Sequence, residues 1–173
     1  MAEEGNAAYQ CELGYCYYYG IGVKINYAKA IEWYKKAIVQ GNTEGQWRLG
    51  VCYINGNGVD KDYVQAAEWY RKAAEQGDVD GQWRLGVCYE YGDGVDKDYT
   101  QAAEWYRKAA EQDDKDGMFY VGHCYEEGIG IKQNTDKAKK WYQKAANKGN
   151  SEADRHLLYL KLGPIIIDEE DWY

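Results

Sequence analysis

Residues 77–112, GDVDGQWRLGVCYEYGDGVDKDYTQAAEWYRKAAEQ, decide the fold of this chain. The preceding stretch, 41–76, matches them at 29 of 36 positions. Residues 5–40 and 113–148 keep the same skeleton, and a partial fifth copy occupies 149–163. A fixed period of this length is typical of stacked supersecondary units, because one unit alone cannot bury its apolar face. The repeat therefore predicts the fold, while it says less about the function.

Each copy predicts two helices joined by a short turn. When residues 43–55 are placed on a helix at 100° per residue, small and apolar side chains fall mainly on one face. Aromatic and charged side chains fall on a second face. A Gly-x-Gly-Val turn such as 56–59 ends this first helix, and an Asn or Asp cap starts the second. We expect an all-α fold, a right-handed α-solenoid of antiparallel helix pairs over residues 1–163. Residues 151–162 form its capping helix, and 164–173 an irregular acidic tail.

The second helix of each copy carries three more specific predictions. Asp62 and Gln65 have the spacing of a reciprocal capping box. Glu68 and Lys72, four residues apart on the polar face, predict a solvated ion pair. Tyr63 falls on the apolar arc with the alanines, tryptophan and second tyrosine of the helix, so we expect its ring in the core.

Composition and charge narrow the classes of function. The net charge of −8 makes nucleic acid an unexpected partner, because phosphate neutralisation needs clustered Lys and Arg. The sequence shows neither a signal peptide nor an apolar stretch of the roughly 20 residues that a membrane helix needs. We therefore expect a cytoplasmic protein that does not insert into membranes.

Four of the five cysteines occupy one repeat position, and Cys11 stands outside it. Equivalent positions in stacked helices lie about 8–10 Å apart. A disulfide requires Cα atoms within about 7 Å. The four are therefore predicted to be unpaired, small buried hydrophobes: Cys16, Cys52, Cys88 and Cys124.

The motifs Leu-Gly-x-Cys-Tyr, Gly-x-Gly-Val, Ala-x-x-Trp-Tyr-x-Lys-Ala-Ala and Gln-Gly resemble the Sel1-like repeat over residues 5–148 and the partial copy. This resemblance implies a relative of tetratricopeptide repeats, with the first helix of each repeat on the concave side, and a role as an adaptor or scaffold. The chain departs from the family pattern with Cys in place of Leu or Met, and with glycine where Ala is usual, at Gly45, Gly81 and Gly117.

The sequence predicts no enzyme chemistry, no metal site and no cofactor. The two histidines, His123 and His156, fall on different predicted helices. His123 neighbours Cys124, but adjacent helical residues point about 100° apart and do not share a ligand face. The single serine, Ser151, stands at a predicted helix start, where capping is the simple interpretation.

The second face of the first helices predicts a peptide-binding groove. Aromatic residues and arginines, which often anchor protein interfaces, recur there in register from copy to copy. The alternative is that Trp47 and Trp83 simply bury against the first helix of the next copy. The residues predicted to line the groove are Tyr15, Tyr18, Trp47, Arg48, Val51, Trp83, Arg84, Val87, Phe119, Tyr120 and His123.

The tail has a composition that such a groove would accept, being apolar, then acidic, then aromatic. One hypothesis is that it lies in the groove of a neighbouring molecule, so that the protein self-associates, or that it mimics the natural ligand. The other interpretation is a disordered acidic tail. The candidate ligand residues are Ile165, Ile166, Ile167, Asp168, Trp172 and Tyr173.

The first functional prediction is therefore a non-enzymatic scaffold that binds an extended peptide of another protein in the concave groove. The alternative is an acidic inhibitor or immunity-type protein that blocks a basic toxin or enzyme through rim and edge carboxylates. A third interpretation, an engineered array, is compatible with the near-identity of copies two and three, as is recent duplication. The carboxylates expected for the alternative are Asp80, Glu90, Asp116 and Glu126.

Overall fold

A computed structural model describes residues 5–162, which contain nine helices and no strand. Eight of the helices form four consecutive pairs, and the ninth follows the last pair. The predicted all-α solenoid is confirmed, whereas the tail, 164–173, lies outside the described residues. The helices are α1 Ala7–Tyr19, α2 Tyr27–Val39, α3 Thr43–Asn55, α4 Tyr63–Glu75, α5 Val79–Tyr91, α6 Tyr99–Glu111, α7 Lys115–Glu127, α8 Thr135–Asn147 and α9 Ser151–Leu162.

The helices stack in chain order, each packing against the next. The first helices also touch one another across repeats, α3 with α5 and α5 with α7. This approach places the first helices in one layer of the stack, and we call the side of this layer that faces away from the second helices the inner face. None of the helices in residues 5–162 has the length and apolar character that crossing a bilayer requires.

The predicted turn chemistry is confirmed in every pair. All eight paired helices begin at an Asn or Asp whose side chain accepts a backbone N–H from the first turn. The first helices end at glycines in the left-handed region, such as Gly56 with φ 71°. The second helices are followed by glycine in the same region, except that Asp113 takes this place with φ 66°. These caps satisfy backbone groups that helix ends leave unpaired.

The second glycine of the turn lies against the preceding repeat. A Cβ at Gly58 would come within 2.8 Å of the Cβ of Tyr27, the first residue of α2. Gly94 and Gly130 meet the backbone of Tyr63 and Tyr99 in the same way. Each of these turns therefore rests on the start of the second helix one repeat earlier.

A tyrosine ring of the second helix lies directly on a glycine of the first helix in every pair. A Cβ at these glycines would stand 2.6–2.7 Å from a ring carbon. The four tyrosines are at most 5 % exposed. Glycine inside a helix costs about 1 kcal/mol of helix propensity, which predicts from the sequence that these glycines allow a neighbouring helix to come close. The contacts confirm this prediction, and the pairs are Gly14 with Tyr34, Gly50 with Tyr70, Gly86 with Tyr106 and Gly122 with Tyr142.

Two predictions for the second helix are wrong in part. The Gln65 backbone N–H bonds to the Asp62 side chain at 3.0 Å, as expected, but the Gln65 side chain bonds to Glu68. The capping box stays half-formed because the Asp62 N–H already donates to the Tyr53 carbonyl at 3.0 Å. Tyr63 is 39 % exposed, since it occupies the first position of α4, outside the covered part of the helix.

The predicted ion pair between Glu68 and Lys72 does not form. The Lys72 ammonium lies 4.0 Å from the ring centroid of Trp69 instead. The same lysine–tryptophan contact occurs in the other three repeats. The aromatic ring attracts the ammonium group and also packs against the lysine stem, which an exposed carboxylate does not.

The cysteines are free, as predicted. Burial raises the pKa of Cys52 to about 12, and Cys11, Cys88 and Cys124 behave alike. The prediction of burial is wrong for Cys16, which is half-buried. Cys52 packs with Ile31 and Tyr34 of the preceding repeat. No earlier helix exists among residues 5–162 to cover Cys16 in this way.

We predict that Gly86→Ala lowers the free energy of unfolding by about 1–3 kcal/mol, because the new methyl group would overlap the buried Tyr106 ring. This loss should appear even though alanine favours a helix interior by about 1 kcal/mol. Urea unfolding measures it. In a Tyr106→Leu background the ring is absent, so Gly86→Ala should cost nothing further. Equal stabilities of Gly86→Ala and wild type would contradict the prediction.

Candidate binding groove and histidine–glutamate cluster

The predicted groove residues stack on one another along the inner side of the first helices. The Arg48 guanidinium carbon lies 4.5 Å from the ring centroid of Tyr15 and 4.4 Å from that of Trp47. The Arg84 guanidinium lies 4.5 Å from Trp47 and 3.9 Å from Trp83. Trp47 thus contacts two guanidinium groups, one from its own repeat and one from the next.

Aromatic rings continue this stack into the fourth repeat. The Tyr120 ring lies 5.5 Å from Trp83 and 4.5 Å from Tyr106, nearly parallel to the latter. Phe119 contacts Tyr120 edge-on at 5.2 Å. We call this continuous set the aromatic–arginine column, and it comprises Tyr15, Trp47, Arg48, Trp83, Arg84, Phe119 and Tyr120.

Both arginines of the column also pair with a carboxylate one helical turn earlier. Arg48 donates to Glu44 through Nε at 2.8 Å and through Nη2 at 2.6 Å. Arg84 lies 3.3 Å from Asp80. These pairs hold the guanidinium groups in place. A ligand carboxylate that binds Arg48 or Arg84 would have to displace the carboxylate of Glu44 or Asp80.

A cavity of about 270 Å³ opens beside the column. Two of its lining residues, Tyr19 and Tyr34, were missed as groove residues from sequence. Tyr34 occupies the repeat position of the core tyrosines. This position predicts burial, but it does not predict that the side chain also lines a cavity on the inner face. Except for Arg84, the predicted residues farther along the chain do not line this cavity, and Trp83, Val87, Phe119 and Tyr120 pack on the C-terminal core. The cavity is lined by Tyr18, Tyr19, Tyr34, Trp47, Arg48, Val51 and Arg84.

A polar cluster occupies the other end of the inner face. The hydroxyl group of Tyr106 donates to Glu90 at 2.7 Å, and His123 Nε2 lies 3.4 Å from the same carboxylate. One repeat later, Glu126 accepts a hydrogen bond from Tyr142 at 2.5 Å and contacts Nδ1 of the second histidine at 2.9 Å. We call this set, with the adjacent Glu127, the His–Glu cluster; its members are Glu90, His123, Glu126, Glu127 and His156.

The period, the paired helices and their glycine contacts agree with a comparison against known families. The Sel1 repeat family matches residues 7–42, 43–78, 79–114 and 115–150. The chain belongs to the Sel1 repeat family. The matched segments begin where the first helices begin, two residues after the predicted repeat starts.

Solved Sel1 repeat structures resemble the chain closely. The protective antigen c5321 of uropathogenic Escherichia coli is 39 % identical, with a TM-score of 0.78 over 91 % of this chain and 34 % of its own. A Sel1 repeat protein from Oxalobacter formigenes is also 39 % identical, with a TM-score of 0.75 over 88 % of this chain and 63 % of its own. The chain therefore spans about a third and somewhat under two thirds of these relatives.

A more distant similarity concerns the immunity protein Pa5087 of Pseudomonas aeruginosa. It is 23 % identical, with a TM-score of 0.64 over 86 % of this chain and 55 % of its own. This likeness shows the shared fold alone. No curated protein matches the chain.

The His–Glu cluster departs from the other Sel1 repeats of the chain, where Tyr18 and Ile54 stand in place of Glu90 and Glu126. Burial raises the pKa of Glu90, but hydrogen bonds from His123 and Tyr106 outweigh it and bring the pKa below its ordinary value. The hydrogen bond to Glu90 raises the pKa of His123, against the effect of burial.

The acidic edge expected for an inhibitor is largely engaged within the protein. Glu90 is only 4 % exposed, so its prediction as a rim residue is wrong, because Tyr106 and His123 draw it inward. Asp116 accepts a hydrogen bond from Asn150 at 2.8 Å. Asp80 pairs with Arg84, and Glu126 with Tyr142.

The capping role expected for Ser151 belongs to its neighbour. The Asn150 side chain accepts the backbone N–H of Ala153 at 2.8 Å. Asn150 also donates to Asp116 and is 6 % exposed. The amide is suited to this position because it donates and accepts at once. One residue thus starts α9 and ties it to α7.

We predict that Tyr106→Phe lowers the free energy of unfolding by about 1.5–3 kcal/mol, because the buried Glu90 carboxylate loses a hydrogen bond. Tyr70→Phe is the matched control. Tyr70 occupies the same place in the preceding Sel1 repeat, where Ile54 stands in place of Glu90 and packs against the same core cluster. No carboxylate of residues 5–162 bonds to the Tyr70 hydroxyl group. Urea unfolding should show a much smaller loss for the control. Equal losses would mean that the bond to Glu90 contributes nothing.

Proposed function

We propose that this protein is a non-enzymatic scaffold that binds an extended segment of a partner protein along the inner face of its first helices. Sel1 repeat proteins generally serve as protein-interaction scaffolds. The observation that carries the proposal is the aromatic–arginine column, which runs through all four repeats. Tryptophan and arginine are the residues that most often anchor interfaces.

The column is organised before a ligand arrives. Arg48 and Arg84 are each held by a carboxylate and by ring contacts, and their side chains are 16 % and 19 % exposed. A partner therefore loses little affinity to the ordering of these side chains. The exposed fraction that remains offers guanidinium N–H groups to a bound backbone carbonyl or carboxylate.

The cavity beside the column suggests how a peptide would be anchored. Its volume of about 270 Å³ is below the range of about 300–1,000 Å³ typical of small-molecule sites. One aromatic or branched side chain of a peptide would fill it. An acidic residue next to that side chain would reach Arg48 or Arg84 and exchange with Glu44 or Asp80.

The acidic inhibitor remains the second candidate function. The net charge of −8 favours it. The four carboxylates expected to carry it, however, pair with other side chains of the protein. The available surface therefore supports peptide binding in the groove better than blockage of a basic partner.

The groove is tested by selecting short peptides from a displayed random library on the chain ending at residue 163. Selected peptides should combine an aromatic or aliphatic residue with acidic ones. Trp47→Ala and Arg84→Ala should each weaken the best peptide at least about tenfold, which corresponds to about 1.4 kcal/mol. The control Arg107→Ala removes an exposed arginine of α6 and should leave affinity unchanged. Failure of any peptide to enrich, or binding indifferent to Trp47, would reject the groove.

The tail hypothesis has its own test, because residues 164–173 lie outside the described part of the chain. Light scattering should give a concentration-dependent mass above one chain for the intact protein. The version ending at residue 163 should remain monomeric. Arg84→Ala in the intact protein should shift self-association to higher concentration. Identical masses for the intact and shortened proteins at all concentrations would exclude the tail as a ligand between molecules.

A further inference from the structure

The only two histidines of the sequence meet at one place in the fold. His123 lies on α7 and His156 on α9, and their ring centroids are 6.5 Å apart. Glu126 and Glu127 follow His123 by three and four residues, positions that share a helix face. One ligand atom from each of these three residues lies within 4.8 Å of the other two.

The convergence is not a property of the repeat. The place of His123 is taken by Tyr15, Val51 and Val87 in the earlier copies. Glu126 stands where the first two copies have tyrosine and isoleucine. The first two copies form the same helix pair with tyrosine, valine or isoleucine at these two positions. Their common location therefore points to a role that the repeat itself does not require.

The surroundings of His123 are those of a metal-bound imidazole. Its Nε2 faces the buried Glu90 carboxylate at 3.4 Å. Its Nδ1 is buried and has no hydrogen-bond partner among the residues that the structure describes. Histidines that bind metals commonly hold a carboxylate with one ring nitrogen and the metal with the other. An unpaired buried nitrogen is otherwise unfavourable.

We propose that the His–Glu cluster binds a divalent transition metal ion of the Zn²⁺ class. His123, His156 and Glu126 are the ligands, with Glu127 as the fourth. Two imidazoles and two carboxylates suit Zn²⁺, whereas Ca²⁺ and Mg²⁺ prefer oxygen ligands throughout. Zinc–nitrogen bonds of about 2.0–2.1 Å at tetrahedral angles place two imidazole ring centroids roughly 5.0–5.5 Å apart, so the observed 6.5 Å would have to shorten by about 1 Å.

Small movements would complete the site. Ligand atoms on a tetrahedral zinc lie roughly 3.0–3.5 Å apart, so the group within 4.8 Å must contract by up to about 1.5 Å. The ion would replace the contact of 2.9 Å between His156 Nδ1 and Glu126 Oε2. The Tyr142 hydroxyl group, bonded to the same carboxylate, would remain to orient it. Glu90 would do the same for His123.

The cluster is open to solvent on one side. A cavity of about 380 Å³ is lined by Glu126, Glu127 and His156, together with Glu152, Arg155 and Tyr159. Glu126 and Glu127 supply its negative charge, because Glu152 pairs with Arg155. The cavity therefore attracts cations and gives an ion a path to His156 and Glu126.

Calorimetric titration of the full chain with Zn²⁺ tests the site, and Co²⁺ absorption identifies the ligands. We expect one ion per chain, with d–d bands of a nitrogen and oxygen site and no thiolate charge transfer. His123→Gln and His156→Gln should each weaken Zn²⁺ binding at least about tenfold. Circular dichroism shows whether each variant keeps its helices.

Two matched controls separate the site from general metal binding. Glu152→Gln removes a carboxylate that lines the same cavity but pairs with Arg155, and affinity should stay within about twofold. Cys16→Ser removes the half-buried thiol and should change nothing. Absence of Zn²⁺ binding, unchanged affinity in both folded histidine variants, or loss of binding in Cys16→Ser would overturn the proposal. Because the probe is the metal ion alone, these outcomes are independent of peptide binding.

Discussion

The tyrosine ring that lies on a glycine in each helix pair sets the distance between the two helices. Because the glycine has no side chain, the ring reaches across the full width of the first helix. Its far end therefore arrives at the inner face. Tyr34 lines the cavity, Tyr106 bonds to Glu90, and Tyr142 bonds to Glu126. One packing contact thus stabilises the repeat and also supplies a hydroxyl group or ring edge to the surface that we consider functional.

This shared frame carries two different surfaces. In the first three repeats, the inner face has arginines stacked on tryptophan and tyrosine rings. Toward the fourth repeat and α9, histidines and carboxylates replace them. Phe119 joins the two regions, since its ring contacts Tyr120 at 5.2 Å and His156 at 5.4 Å. A few substitutions on identical helix pairs therefore change the chemistry of the inner face from one end to the other.

The features predicted correctly from the sequence are those that the repeat period or local chemistry determines. The period located all four helix pairs, and Asn, Asp and Gly marked their ends. Helical spacing placed Trp47 and Arg48 on one face, and the stacked register aligned them with Trp83 and Arg84. The close approach at Gly50 followed from the cost of glycine in a helix, although its partner Tyr70 did not.

The remaining features depend on contacts between side chains or helices that the repeat period does not predict. His156 lies on α9, outside the full repeats, so its approach to His123 had no signature in the register. Glu90 is charged and would be expected at the surface. Its burial is explained only by the positions of Tyr106 and His123. The Lys72 ammonium contacts the ring of Trp69 and not the carboxylate of Glu68, which has the spacing of an ion pair. Which of two possible partners a side chain contacts depends on the relative positions of three side chains. Residue spacing in the sequence describes only two residues at a time and does not contain this information.

The contact between each turn and the preceding repeat has an evolutionary consequence. Gly58, Gly94 and Gly130 have no room for a side chain, because the start of an earlier helix lies against them. A Cβ at Gly22, by contrast, would meet nothing within 4 Å among the described residues, although its φ of 69° still favours glycine. Replacement of Gly58, Gly94 or Gly130 should thus be selected against, since each of these glycines lets its turn lie against the helix of the repeat before it.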